Sequence, residues 1–271
     1  QIETAENILS QNYQGLNYSA GFSRLGKNST FRFNVSSGFR APNTSELLSN
    51  GVHHGAFRYE LGNAALKTEK AVQIDASYAL HYDDLELIIN PFYNRIQDYI
   101  FIAQADTMIE SFPVYEYSQA NFAQLYGLDF GVHYHPHGAH WLHIESSLSN
   151  VFAEDENRNP LPLIPQTRLS TKLIFNFNMD SKFKIEEAVL QHQYFFKQNR
   201  LGVFESETAD FHLLNFGLNM VYSSDNPLLI SVGGRNILNT KFIDHLSQIK
   251  PLGIPNPGIN AYFSIKYKFN N

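Results

Sequence analysis

The sequence predicts an all-β fold, a transmembrane antiparallel β-barrel, and a few patterns carry that reading. Between residues 24 and 227 very short polar turns alternate with long irregular loops. The segments between them run apolar, polar, apolar at period two, as a strand does when one face meets lipid. Aromatic side chains gather at the strand ends beside the short turns.

The short connections are read at Arg24 to Asn28, Tyr82 to Asp84, Pro136 to Ala139, Met179 to Lys182 and Ser223 to Pro227. The long ones run from Arg40 to Leu66, Ile102 to Ala123, Phe152 to Gln166, Lys197 to Ala209 and Asn236 to Pro257. In an antiparallel meander, consecutive connections lie on opposite sides. All short turns therefore fall at one end and all long loops at the other, the asymmetry of bacterial outer-membrane barrels.

Element by element, one face carries Phe31, Phe33 and Val35, then the even positions from Val72 to Tyr82, then Leu85, Leu87, Ile89 and Pro91. The same face continues through Leu128 to Tyr134, Leu169 to Phe177, Leu214 to Tyr222 and the closing strand Ala261, Phe263, Ile265, Tyr267 and Phe269. The alternating positions include Arg32, Gln73, Asp75, Glu86, Asp129, His133, Glu145, Lys172 and Asn219. A Lys or Arg facing lipid at mid-membrane costs about 2–4 kcal/mol, which gives this segregation a cause. A soluble β-sandwich would instead turn the apolar face into a core. It has no reason to collect Tyr82, Tyr134, Phe177, Tyr222 and Tyr267 at one end, where a barrel places its interfacial girdle. At Phe183 to Leu190 the apolar parity switches, and a bulge is expected near Glu186 and Glu187.

Composition fits without deciding the matter. A hydrophobic fraction of 43% with mean hydropathy of -0.28 resembles a soluble protein, because only alternate barrel residues meet lipid. No run approaches the ~18 apolar residues of a membrane helix. Aromatics are abundant, with 22 Phe and 15 Tyr against one Trp, and the absence of cysteine excludes disulfides and thiolate metal sites. A net charge of -6 argues against nucleic acid as a partner. Residues 1–271 read as one unit without linker or repeat, and no signal peptide is visible at Gln1. The count is about eleven strands, beginning near Tyr13. Single-chain barrels usually have an even number, so the chain is expected to be the C-terminal half of a larger barrel. Residues 1–12 are then the tail of an outer loop.

The sequence Gly38, Phe39, Arg40, Ala41, Pro42, with Asn43, Glu46, Leu47, Gly51 to Gly55, Tyr59, Glu60, Gly62, Asn63, Leu66, Lys67 and Glu69, resembles the TonB-dependent outer-membrane receptors. So do Asn90 to Asn94, Ile96, Asp98 to Ile100, Tyr126 with Gly127, Asn236 to Asn239, and the aromatic last strand. The resemblance implies a ~22-stranded barrel in the bacterial outer membrane, plugged by an N-terminal domain. It implies energy-coupled import of a scarce nutrient through the TonB complex. Plug, first barrel half and the TonB-contacting segment lie outside this chain, which makes those elements and outer-membrane lipid its expected partners. The chain ends Phe269, Asn270, Asn271, so the terminal aromatic of a barrel-assembly signal is offset.

His53 and His54 lie between the box Phe39, Arg40, Ala41, Pro42 and a second box of which Asn63 and Leu66 match. In heme receptors of the family, a histidine between such boxes can ligate heme iron. Zinc receptors have a similar loop, and neutral imidazole suits both ions. The expected ligand-binding set is therefore His53 and His54, with Tyr59, Glu46 or Glu60 as a second donor. The transported ligand is expected to be heme, an iron complex or a metal ion such as zinc. The plainer alternative is that the histidines only shape the turn between Gly51 and Gly55. A second cluster, His133, His135, His137, His140 and His143, flanks a short turn, far from any capturing surface, and reads as interfacial histidine or as metal ligands. Glu154, Asp155 and Glu156 could hold Ca²⁺ or simply be solvated charge. A passive porin or adhesin is the alternative function, and an outer-membrane hydrolase a further one. The chain shows no Gly-x-Ser-x-Gly elbow and no persuasive Ser-His pairing, so no enzyme activity is expected.

Overall fold

The computed structural model describes residues 12–203, 205–223 and 227–268. Its strands are β1 (Ser19–Leu25), β2 (Ser29–Arg40), β3 (Asn50–His53), β4 (Arg58–Leu61), β5 (Glu69–His81), β6 (Leu85–Ile109) and β7 (Phe112–Tyr134). They continue as β8 (Leu142–Asp155), β9 (Arg168–Asn176), β10 (Phe183–Phe195), β11 (Phe211–Tyr222), β12 (Leu228–Arg235) and β13 (Asn260–Tyr267). One short helix, α1 (Thr44–Leu48), precedes β3.

The order across the sheet is β1-β2-β5-β6-β7-β8-β9-β10-β11-β12-β13, each strand antiparallel to its neighbour. This is the predicted eleven-strand meander, and β3 and β4 form a small hairpin added to it. Every residue of β1 and of β13 is exposed, and each of these strands has one neighbour in the order. The sheet is thus an open portion of barrel wall.

The faces follow the sequence pattern. Val72, Ile74, Tyr78, Phe130 and Phe216 are exposed, and Phe33 and Leu173 half-buried, so no closed core forms between two sheets. Tyr82, Tyr134, Phe177, Tyr222 and Tyr267 are all exposed at the short-turn end. The parity switch in β10 is a register shift between Ile185 and Glu187, as expected.

Some expectations need correction. The first strand begins at Ser19, six residues after Tyr13. The stretch Ile102 to Ala123 is no irregular loop. β6 and β7 pair through it up to Ile109 and Phe112, and the chain reverses at Glu110 and Ser111 with φ of 50° and 69°. Two positive φ angles in succession suit a tight hairpin turn, whose twist matches that of its strands. The expectations for residues 1–11 and for Phe269 to Asn271, and the middle of the turn Ser223 to Pro227, lie outside the described residues.

Buried apolar side chains concentrate at the long-loop end. Leu47, Leu66 and Ile100 form one cluster with Tyr117 against it. Ala123, Ala153 and Leu161 form another, joined by Tyr99, Leu125 and Ile164. The loops are therefore packed onto the wall, and they position the site.

Candidate functional site

The first long loop is anchored by its own sequence. Arg40, the last residue of β2, donates to both Glu46 and Glu69, and the Glu46 contacts are 2.8 Å. Glu69 also accepts from the Ile100 N–H at 2.6 Å, so one carboxylate ties β5 and β6 to the loop. Asn43 and Glu46 form a reciprocal capping box at the start of α1, which satisfies two helix donors at once. Asn63 donates its N–H to the Glu46 carbonyl, and its side chain accepts from Ala65. Leu66 is buried against Leu47 and Ile100. The box residues Phe39 to Pro42 and their partners Asn63 and Leu66 therefore build a clamp.

The expected ligand set divides on this framework. Glu46 and Glu60 are buried and each is bound by an arginine, Glu60 by Arg58 at 2.6 Å. Tyr59 donates to Asn50 at 2.9 Å. His53, at the end of β3, accepts at Nδ1 from the Ala56 N–H at 3.1 Å, which leaves Nε2 facing outward chemistry. His54 follows in the turn and is exposed. Among the described residues, the structure does not gather these side chains into a group of three metal donors.

It places the hairpin at the rim of a cavity. β4 adds in parallel to the outer end of β7, with Tyr59 opposite Val114 and Leu61 opposite Glu116. His53 is the cross-strand partner of Arg58, and the Arg58 guanidinium lies 4.8 Å above the Tyr115 ring. Arg58 and Tyr115 line a cavity of about 430 Å³ together with Leu163, Glu205, His245 and Lys250. Five separate connections contribute to that lining, which only a common loop end allows.

The polar groups of the cavity are held in a network. Glu205 accepts from the Leu163 N–H at 2.7 Å and the Gly202 N–H at 2.8 Å. His245 has its side chain 1% exposed, with Nδ1 2.8 Å from the Thr208 hydroxyl and 3.1 Å from Lys250 Nζ. A lysine ammonium can only donate, so Nδ1 accepts and the proton sits on Nε2. That Nε2 lies 3.6 Å from Glu205, too long for a formed hydrogen bond, and is buried without a hydrogen-bond partner among the described residues. Burial pushes the Glu205 carboxyl up, but the His245 ring and the two backbone donors outweigh it and hold Glu205 below the usual carboxylate range. Burial also lowers Lys250, against the opposing pull of Glu205 and Asp244. The cavity thus presents Arg58 and Lys250 beside one ionised carboxylate, with the buried His245 ring set between Lys250 and Glu205.

Sequence reasoning missed Glu205, His245 and Lys250, which are scattered through two loops without a motif. The usable signal was slight: one isolated histidine in a long loop on the capturing side. The acidic stretch is largely paired, although Glu156 Oε2 is buried without a hydrogen-bond partner among the described residues. Glu154 pairs with Arg200 at 3.2 Å, Asp155 accepts from the Asn157 and Asn159 N–H groups at 2.8 Å, and Glu156 accepts from Asn121 at 3.0 Å. At the opposite end, His133, His135 and His143 do come together, with one ligand atom from each within 4.8 Å of the others.

An apolar exterior, a meander with all long connections at one end and a packed, loop-capped cavity define the wall of a barrel receptor. The sequence matches the family described as "TonB dependent receptor-like, beta-barrel" over residues 3–237, and the chain belongs to that family. Solved structures agree on the fold. A copper transporter, OprC, superposes with TM-score 0.75 at 19% identity, covering 93% of this chain and 39% of that one. The siderophore receptor PirA from Acinetobacter baumannii gives 0.66 at 16% identity, covering 93% of this chain and 41% of its own. The iron transporter FrpB from Neisseria meningitidis gives 0.64 at 14% identity, covering 94% and 39%. The chain thus spans about two fifths of the length of these structures.

Proposed function

We propose that this chain is the C-terminal barrel portion of a bacterial outer-membrane receptor that captures a metal-containing nutrient at its loop end. In this reading further strands and a plug complete the barrel, and the TonB complex supplies energy for import. Family membership and neighbours that include a copper transporter, a siderophore receptor and an iron transporter support uptake of a metal or metal complex.

The observation that carries the substrate class is the donor-rich loop cavity. Arg58 and Lys250 favour a ligand with several anionic oxygens, and Tyr115 offers an aromatic wall. An oxygen-chelated iron complex fits that chemistry better than a bare cation, which the two cationic side chains would repel. A cavity of about 430 Å³ is within the ordinary range for small-molecule sites. His53, the cross-strand partner of the cavity residue Arg58, and His54 beside it are the further candidates, since a free imidazole nitrogen can contact the metal centre or the periphery of the ligand.

Binding titrations on the full-length protein test this. Heme, zinc and a ferric siderophore would each be titrated against wild type, a double His53→Ala, His54→Ala variant and His245→Ala. The expected result is preferential binding of the oxygen-chelated iron complex, weakened in His245→Ala and less so in the double variant. Equal affinities in all proteins for all ligands would remove both sites from the function. Tight heme binding lost only in the double variant would move the substrate to heme.

A further inference from the structure

We propose that His133, His135 and His143 form a binding site for one divalent transition-metal ion, of the class of Zn²⁺ or Cu²⁺. The site would lie on the interior face of the barrel wall at its short-turn end. The loop cavity is at the other end of the strands, so this site stands independently of the ligand-capture reading.

Strand alternation brings the three rings together. Tyr134 pairs with Ile144 across β7 and β8, and is exposed on the apolar face. His133 pairs with Glu145 one step away and therefore faces the interior. His135 is two residues beyond His133, and His143 two residues before Glu145, so both follow the same side. Ring centroids of His133 and His135 are 4.3 Å apart, those of His135 and His143 3.9 Å, and those of His133 and His143 6.1 Å. The ligand atoms of the three lie within 4.8 Å of one another. Nitrogens on a tetrahedral Zn²⁺ at ~2.05 Å sit roughly 3.4 Å apart, so side-chain adjustment of about 1 Å closes the set.

The surroundings suit a cation. Glu86 on β6 and Glu145 on β8 are the cross-strand partners of His133. Glu145 Oε1 lies 3.9 Å from His133 Nε2 and could supply a fourth donor, while its other oxygen is 3.2 Å from Lys172 Nζ. His133 Nε2 is buried without a hydrogen-bond partner among the described residues. The Asn176 amide is 3.0 Å from His143 Nε2, and with its oxygen turned to the ring it would accept the Nε2–H and leave Nδ1 to ligate. Imidazole donors without thiolate favour Zn²⁺, Cu²⁺ or Ni²⁺ over the oxygen-seeking Mg²⁺ and Ca²⁺.

The test uses chelator-stripped, detergent-purified full-length protein. Calorimetry with Zn²⁺ should show one ion per chain, with affinity falling at least ~10-fold in His135→Ala and in His143→Ala. His137→Ala should bind as wild type does. Cu²⁺ electron paramagnetic resonance on the unmutated protein should show coupling to three nitrogens, a readout that needs no variant to fold. No Zn²⁺ bound by wild type, unchanged affinity in His135→Ala, or fewer than three coupled nitrogens would overturn the site.

Discussion

Arg40 decides whether the first loop stays folded onto the wall. Its side chain is 44% exposed, but those of the glutamates it holds, Glu46 and Glu69, are only 10% and 9% exposed. Removing it leaves two sequestered charges facing each other, and because the arginine itself reaches water the cost should fall below the ~3–5 kcal/mol of a fully buried pair. Arg40→Met should therefore raise the rate of proteolytic cleavage between residues 41 and 68 while the barrel strands stay protected. Uniform protection throughout would show that the clamp is dispensable. Leu66→Ala acts on the same loop through packing, deleting a side chain that is 4% exposed, with an expected loss of about 2–5 kcal/mol in loop docking. These residues were legible in the sequence as a family motif, yet their role was not. The motif marks Glu46 as a candidate ligand, and only the fold shows that Arg40 and the α1 cap already use its carboxylate. The cavity residues were illegible for a different reason. Glu205 and His245 are 40 positions apart and meet only because two connections fold over the same end.

At the scale of elements, one carboxylate ties the loops together. Glu205 bridges the segment around Leu163, the turn at Gly202 and the loop carrying His245. Its folded-state pKa is depressed, so its contribution is fully present above the ordinary carboxylate range and is lost as pH falls through the lower folded value. Hydrogen exchange in residues 156–167 and 196–203 should accelerate as pH falls below the ordinary carboxylate range, beyond the intrinsic rate change, and Glu205→Gln should abolish that excess. An excess that persists in the variant would assign the acid response to another group. The strands themselves were readable because period-two alternation leaves a face that cannot be mistaken for a helix. The β6–β7 extension was not. Beyond Ile102 the apolar-polar alternation that betrays a strand fades while the backbone pairing continues to Ile109 and Phe112.

For the whole molecule, the important features are the two sheet edges. β1 and β13 expose every residue, among them Phe22 at 60%, Leu25 at 78%, Phe263 at 66% and Ile265 at 55%. Their outer backbone donors and acceptors have no strand beside them among the described residues. An unpaired edge in lipid is worse than one in water, because each unsatisfied peptide group costs several kcal/mol there. Pairing with further strands is the natural solution, and edge-to-edge association of copies is the alternative open to this segment alone. Expressed by itself and refolded in detergent, residues 1–271 should run as mixed oligomers and should not form a single closed pore in planar bilayers. Within the proposed complete barrel, the same segment should give a monomer whose electrophoretic mobility shifts on heating, as closed barrels do when they unfold. A monodisperse, heat-shifting monomer from residues 1–271 alone would mean that β1 and β13 close on each other. The open-wall reading would then fail, and with it the need for a missing half.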